Sequence, residues 1–238
     1  MSTLLIALLA GCFMPQADAT PAVLVSPTAS ATHTLIPPTL TATQTPTVTA
    51  LPTLTSTPEP LGCQKPPEDY TRLKLDNGQT INQRTLAMLA HAQELYNGEL
   101  DLTGAAITQG SYSDAVAASF GTHSGGGAVD LSVLRNGTYT ILWDDIEPLL
   151  RALRTAGFAA WLREYGELYP DSPIHIHAIA IGDEELSEAA RDQLTGTSGY
   201  FRGFSGLPFA EGESPTPDRY GDPVLCQWMI DLGYRDLR

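Results

Sequence analysis

The chain has 238 residues, 42% of them apolar and 17% charged, with 13 Lys and Arg against 27 Asp and Glu and a formal charge of -14. That balance excludes nucleic-acid binding and docking on anionic lipid through a basic patch, because a polyanion would be repelled. No apolar run approaches the roughly 18–20 residues that span a bilayer, and three cysteines are too few for a disulfide-rich scaffold.

In chain order, residues 1–12 end a short apolar run with Leu9-Ala10-Gly11-Cys12. This stretch resembles a bacterial lipobox, which implies export, cleavage before Cys12 and lipidation of its thiol. An ordinary signal peptide and a buried N-terminal segment are the other readings. Residues 13–62 are rich in Thr, Pro, Ala and Ser and contain no Lys or Arg. Such a segment cannot bury enough apolar surface to offset its ordering entropy. It reads as a linker with a reach on the order of 150 Å when extended.

Residues 63–238 read as one globular domain, long enough to bury a core. With Cys12 assigned to lipid, Cys63 and Cys226 remain near its two ends. In an exported protein they are expected to form a disulfide; free buried thiols are the alternative. The spacing predicts extended segments around Leu73–Leu75 and Ile81 joined by a turn at Asn77-Gly78. A helix follows over Asn82–Tyr96, with Gly98 beyond its end. Strands are expected at Ala105–Thr108, Ala128–Val133, Phe158–Leu162 and Ile174–Ile181. A helix capped by Asp145 carries Ile146, Leu149, Leu150 and Leu153, has Pro148 in its first turn and stops at Gly157. Asn136-Gly137-Thr138 matches a glycosylation sequon but reads as a hairpin turn. Short helices are expected over Ser187–Leu194 and Val224–Leu232, with a long surface loop over 196–221. The class is α+β, a small antiparallel sheet flanked by helices.

The chemistry concentrates in two motifs. The first runs His123-Ser124-Gly125-Gly126-Gly127-Ala128-Val129-Asp130 and the second is His175-Ile176-His177. Strand alternation puts His175 and His177 on one face. The glycines let the loop after His123 fold back toward Asp130. Two imidazoles and one carboxylate suit zinc, with a fourth position open for water.

His-x6-Asp followed by His-x-His resembles the zinc fold shared by bacterial D-alanyl-D-alanine metallopeptidases and the hedgehog signalling domain, over about residues 100–185. The resemblance implies that His123, Asp130 and His177 bind Zn2+ and that His175 lines the site. It implies a base six positions before the last ligand, where Asp171 stands; His175, Glu167 and Glu164 are the other candidates. His175 could instead donate to an oxyanion. Many peptidases of this group carry a Glu where this chain has Ile174. Many also carry an Arg after a Ser-x-Tyr segment, where this chain reads Gln109-Gly110-Ser111-Tyr112-Ser113. Gln109, Ser111 and Tyr112 are therefore the candidate substrate-binding donors. Trp161 and Tyr165 are candidates to shape the cleft, with a core role favoured for Trp161. The expected function is hydrolysis of a peptide bond in peptidoglycan by a lipid-anchored monomer; a zinc-binding recognition module and an exported peptidase acting on other peptides are the alternatives.

Overall fold

Asn77 and Gly78 turn the chain between two three-residue strands, β1 (Arg72–Lys74) and β2 (Thr80–Asn82), which pair antiparallel as a separate ribbon. Gly78 takes φ +85°, a left-handed value that glycine adopts without strain. These elements belong to a computed structural model that describes residues 59–238. The lipidation expected at Cys12, and the signal and linker readings up to residue 58, lie outside the described residues. Just ahead of Cys63, the Gly62 carbonyl contacts His91 Nε2 at 2.8 Å and Glu59 Oε1 accepts from the Gln227 amide at 2.9 Å.

Helix α1 (Gln83–Tyr96) begins where expected because Asn82 caps it, its Oδ1 accepting from the Thr85 amide at 2.8 Å. Asn97, rather than Gly98, takes the left-handed position at its end, with φ 47°. Helix α2 (Trp143–Thr155) differs from the expectation at its start. It begins two residues ahead of Asp145, and Leu142 precedes it without a side-chain cap. Asp145 lies in the first turn and accepts a hydrogen bond from the Tyr96 hydroxyl instead. Pro148 consequently falls in the second turn, not the first, and removes one helical donor. The end is as expected: Gly157 takes φ +108°, and a side chain there would press on Trp228 and Met88.

The main sheet has the order β3-β4-β6-β5, formed by β3 (Ile107–Gln109), β4 (Ala128–Ser132), β5 (Phe158–Arg163) and β6 (His175–Ala180), all antiparallel. A bulge at Thr108 shifts the β3 register. Every residue of β5 and β6 is buried, so both faces of the sheet are covered. This explains the unbroken apolar run of β5 in place of alternation. One face, with Val129, Leu131, Phe158, Ala160, Ile176 and Ala178, packs on α1 and α2 through Met88, Leu89, Leu149 and Leu153. Burying each such leucine contributes about 1.5–3 kcal/mol. The other face, with Ala159, Trp161 and Ile179, packs on α3 (Glu188–Thr195) and the C-terminal segment. The short helix α4 (Gln227–Asp231) carries Trp228 and Met229 into that core. The observed class is α+β with small antiparallel sheets.

Two further expectations meet the structure. Cys63 and Cys226 form the disulfide, with Cα atoms 5.6 Å apart. Residues 196–221 are not simply a surface loop: Tyr200 and Phe201 are buried in a short 3-10 turn, and Phe204 bridges to Pro217. The segment covers Trp161 and Arg163, whose side chains donate to the Phe204 and Ser205 carbonyls at 2.9 and 2.8 Å. The turn at Asn136-Gly137 forms as expected, with Leu134 bridging to Ile141. Among the described residues no helix is long and apolar enough to cross a membrane.

Candidate metal centre

Strand register builds the site. Gln109, Asp130, His177 and Trp161 are successive cross-strand partners, forming one row across the sheet. Ser132, His175 and Arg163 form the next row on the same face. His123 arrives from outside the sheet on a 3-10 turn, Thr122–Ser124, entered through Gly121 at φ +79°. The glycine loop after it is pinned from both sides. The Tyr112 amide donates to the Gly125 carbonyl at 2.9 Å, and the Gly126 amide donates to the Glu185 carbonyl at 2.7 Å.

Gly125 shows why this loop lacks side chains. A Cβ there would overlap the Glu185 carbonyl oxygen and the Ser187 amide nitrogen, both fixed backbone atoms. Gly125→Ala is therefore expected to cost about 1–3 kcal/mol or more and to weaken metal binding by displacing His123. Thermal unfolding and a zinc titration check this; an unchanged Tm and affinity would show that the loop yields.

His123, Asp130 and His177 present ligand atoms that all lie within 4.8 Å of one another. Asp130 Oδ1 is 2.7 Å from His177 Nδ1 and 3.3 Å from His123 Nε2. The other nitrogen of each ring is already committed. His123 Nδ1–H donates to the Gly110 carbonyl at 2.8 Å, and His177 Nε2–H donates to Gln193 Oε1 at 3.0 Å. These acceptors fix the tautomers and aim two ring lone pairs at one carboxylate oxygen. His123 Nε2 is buried and has no hydrogen-bond partner among the described residues. Three converging groups of this kind could hold a cation, and the donor set fits one. A second cluster of ligand type, Glu59 with Cys63 and Cys226, offers no thiolate because both cysteines are in the disulfide.

Burial holds the His177 imidazole neutral, pushing its pKa down to about 4 against the partial counter-pull of Asp130. Burial works to raise the Asp130 carboxyl, but the two histidines outweigh it and hold it well below the usual range. For the metal-free protein this fixes the direction of acid destabilisation. Between pH 6.5, the ordinary histidine value, and pH 4 the unfolded chain takes up a proton at position 177 before the folded chain does. Stability is therefore expected to fall with pH across that window, by at most about 1.4 kcal/mol per unit. Urea midpoints at pH 7 and pH 5 in chelator check this; a higher midpoint at pH 5 would reverse the sign.

The remaining candidates divide. His175 is at the site: its Nδ1–H donates to the Pro173 carbonyl at 2.8 Å, and its Nε2 stands 3.8 Å from Asp130 Oδ2. Asp171 is not. It sits exposed at φ 65° in the turn before β6, and this reversal aims its carboxylate at the Tyr165 hydroxyl, 2.6 Å away. It lines neither cavity beside the triad. Glu164 pairs with Arg219 at 2.9 Å, and Glu167 accepts from the Glu164 amide at 2.7 Å. Both line a separate cavity of about 400 Å³ beyond Arg163.

Gln109 does line a cavity of about 280 Å³ next to Asp130 and His175, where its amide donates to Ser119 Oγ at 3.1 Å. Ser111 and Tyr112 do not. Ser111 Oγ donates to the Ala128 carbonyl at 2.8 Å. The Tyr112 hydroxyl is tied to Glu185 and Asn82, and its ring lies 3.8 Å under the Arg72 guanidinium. Both serve the scaffold of the glycine loop. Trp161 is buried and stacks on His177, ring centroids 6.1 Å apart at 13°, whereas Tyr165 is mostly exposed.

Two residues at the site carried no sequence signal that singled them out. Gln193, on α3, orients His177. Arg163, at the end of β5, lines the small cavity formed by His123, Asp130, His175 and His177. Comparisons with family models, curated proteins and solved structures return no match for this chain.

Proposed function

We propose that this chain is a zinc-dependent peptidase with a hedgehog/DD-peptidase-like domain, acting on peptide bonds of peptidoglycan stems or cross-links. The observation that carries this reading is the three-ligand centre His123, Asp130, His177, built from two imidazoles and a carboxylate beside an open cavity. Three protein ligands of this kind are the pattern of a catalytic zinc site. The cell-wall substrate rests on the lipobox-like N-terminus and the Thr/Pro tract, which would hold the domain at a wall.

When bound, zinc would lower the pKa of a water toward about 7 and polarise a carbonyl. Around it, His175 is the residue placed to move a proton. Its Nδ1 is occupied by Pro173, which leaves Nε2 to take the proton of the attacking water and return it to the leaving amine. The carbon–nitrogen bond breaks, a carbon–oxygen bond forms, and the products are an acid and an amine. Gln109 and the small, largely apolar wall around it would receive the acyl side of the substrate.

One observation favours a second reading, a zinc-binding recognition module with little hydrolysis. Apart from Asp130, no carboxylate among the described residues lines either cavity at the triad, so none of them stands as an acidic base beside His175. The test is direct. The zinc-loaded protein is incubated with peptidoglycan fragments and the products are read by mass spectrometry, with His123→Ala as control. A defined cleavage lost in the control supports the peptidase; stoichiometric zinc with no cleavage across several fragment types supports the module.

A further inference from the structure

The cavity of about 280 Å³ beside Asp130 and His175 has a largely apolar wall, formed by Val116, Ala118, Leu134, Leu168, Tyr169 and Ile174. These residues come from three stretches of chain: the segment between β3 and β4, the residues just after β4, and the segment that leads into β6. The polar side chains among them already hold neighbours. Gln109 and Ser119 bond each other, and Thr108 Oγ1 donates to the Asp130 carbonyl at 3.2 Å. The Ser132 and Ser172 hydroxyl oxygens accept from the Leu134 and Leu168 amides at 3.1 and 3.2 Å. Among the described residues no Lys or Arg lines the cavity, and its one carboxylate, Asp130, is held by His123 and His177.

This composition decides what enters. A charged side chain would lose its hydration there and gain no free counter-charge, which is costly. An apolar one would release water from apolar walls, a gain that grows with the area covered. Size narrows the choice further. At about 30 Å³ of liquid per water, the space has room for on the order of ten waters. A methyl group would leave most of it wet, whereas a branched or aromatic side chain would fill it. The cavity also adjoins the centre: Ala118, Ser119, Asp130, Leu168 and His175 line both it and the small space at the triad. A side chain seated in it therefore belongs to a residue whose backbone lies at the triad.

We propose that this cavity selects the residue on the acyl side of the scissile bond, and that the chain prefers an uncharged apolar side chain of leucine or phenylalanine size there. Val116, Leu134 and Ile174 set the preference, none of them a metal ligand. The proposal deepens the peptidase reading and rests on it for the bond that is cut, but not for the side chain that is bound.

Two measurements on the full, zinc-loaded chain separate those parts. Binding of acetyl-leucine amide and of its alanine, lysine and glutamate counterparts is followed by amide NMR shifts. Cleavage of acetyl-Xaa-alanine peptides, with the same four residues as Xaa, is followed by mass spectrometry. The leucine probe is expected to shift Val116, Leu134 and Ile174 and to bind at least about tenfold more tightly than the alanine probe, with lysine and glutamate weaker still. Val116 is 40% exposed, so a charge is tolerated there. Val116→Glu should strengthen lysine binding about two- to fivefold and weaken leucine binding. Equal binding of the leucine, alanine and lysine probes, or no binding of any, overturns the proposal without recourse to a variant. So does a leucine preference that is unaltered in folded Val116→Glu. Leucine-selective binding with no cleavage of any peptide leaves the pocket standing and removes the peptidase reading. Cleavage indifferent to the four residues does the reverse.

Discussion

His177→Ala is expected to abolish stoichiometric metal retention and to lower any cleavage by at least on the order of a hundredfold to a thousandfold. Among the described residues three protein groups converge at the centre, and His177 Nδ1 stands 2.7 Å from Asp130 Oδ1. Removing it leaves one imidazole and one carboxylate, too few ligands to hold zinc against water. The neighbouring Gln193→Ala gives a graded comparison. It keeps every ligand but removes the acceptor that fixes the His177 tautomer, so a loss of about 10–100-fold in metal affinity is expected. Competition with a zinc chelator of known affinity measures both, and circular dichroism confirms the fold. Wild-type zinc affinity in His177→Ala would remove this residue from the centre. An effect of Gln193→Ala as large as that of His177→Ala would mean that ring orientation, not ligand number, limits binding.

Opening the disulfide is the second large effect. Cys63 and Cys226 are 163 positions apart, so the bond closes nearly the whole domain into one loop. In the chain-entropy model a loop of that size stabilises the fold by about 5 kcal/mol, most of it by restricting the unfolded chain. Typical domains are stable by only about 5–15 kcal/mol. The double variant Cys63→Ser, Cys226→Ala should therefore show a far lower urea midpoint than the wild type. Because Cys226 is fully buried beside Met229 and Trp228, reductant alone is expected to act slowly on the folded protein. An unchanged midpoint would show that contacts such as Glu59 to Gln227 already hold the two ends together.

How much of this was legible depends on how local each feature is. His175 and His177 share a face because strands alternate, and Asn82 and Ser187 cap helices because their side chains reach the next turn; these need only a few residues of context. His123, Asp130 and His177, which the structure brings together as a possible metal-binding triad, were singled out through the family resemblance that two short motifs carry. Asp171 misled because its spacing from His177 was right while a left-handed turn reversed its direction. Ser111 and Tyr112 misled because their partners, the Ala128 carbonyl and Glu185, are distant in sequence. Arg163 and Gln193 gain meaning only when β5 and α3 pack beside β6, and no local pattern encodes that. The burial of Tyr200 and Phe201 likewise depends on Trp161 and Tyr234 meeting them from elsewhere in the chain.

The crosswise rows on the sheet also divide the chain into parts that tolerate changes of length and parts that do not. Deleting a single residue at the start of β6, ahead of His175, would slide its pairing by one if the loop could not compensate, sending Ile176 toward the triad and both histidines toward the apolar helices. The segment between β3 and β4 is constrained as well, because it carries His123; the segment between β5 and β6 carries no triad residue. Residues 164–172, which supply Leu168, Tyr169 and Ser172 to the wall of the cavity of about 280 Å³, hold none of His123, Asp130 and His177, whereas Pro173 must stay in place because its carbonyl fixes His175. A protein engineer seeking a new preference at this centre would therefore resize that segment and leave the strands uncut.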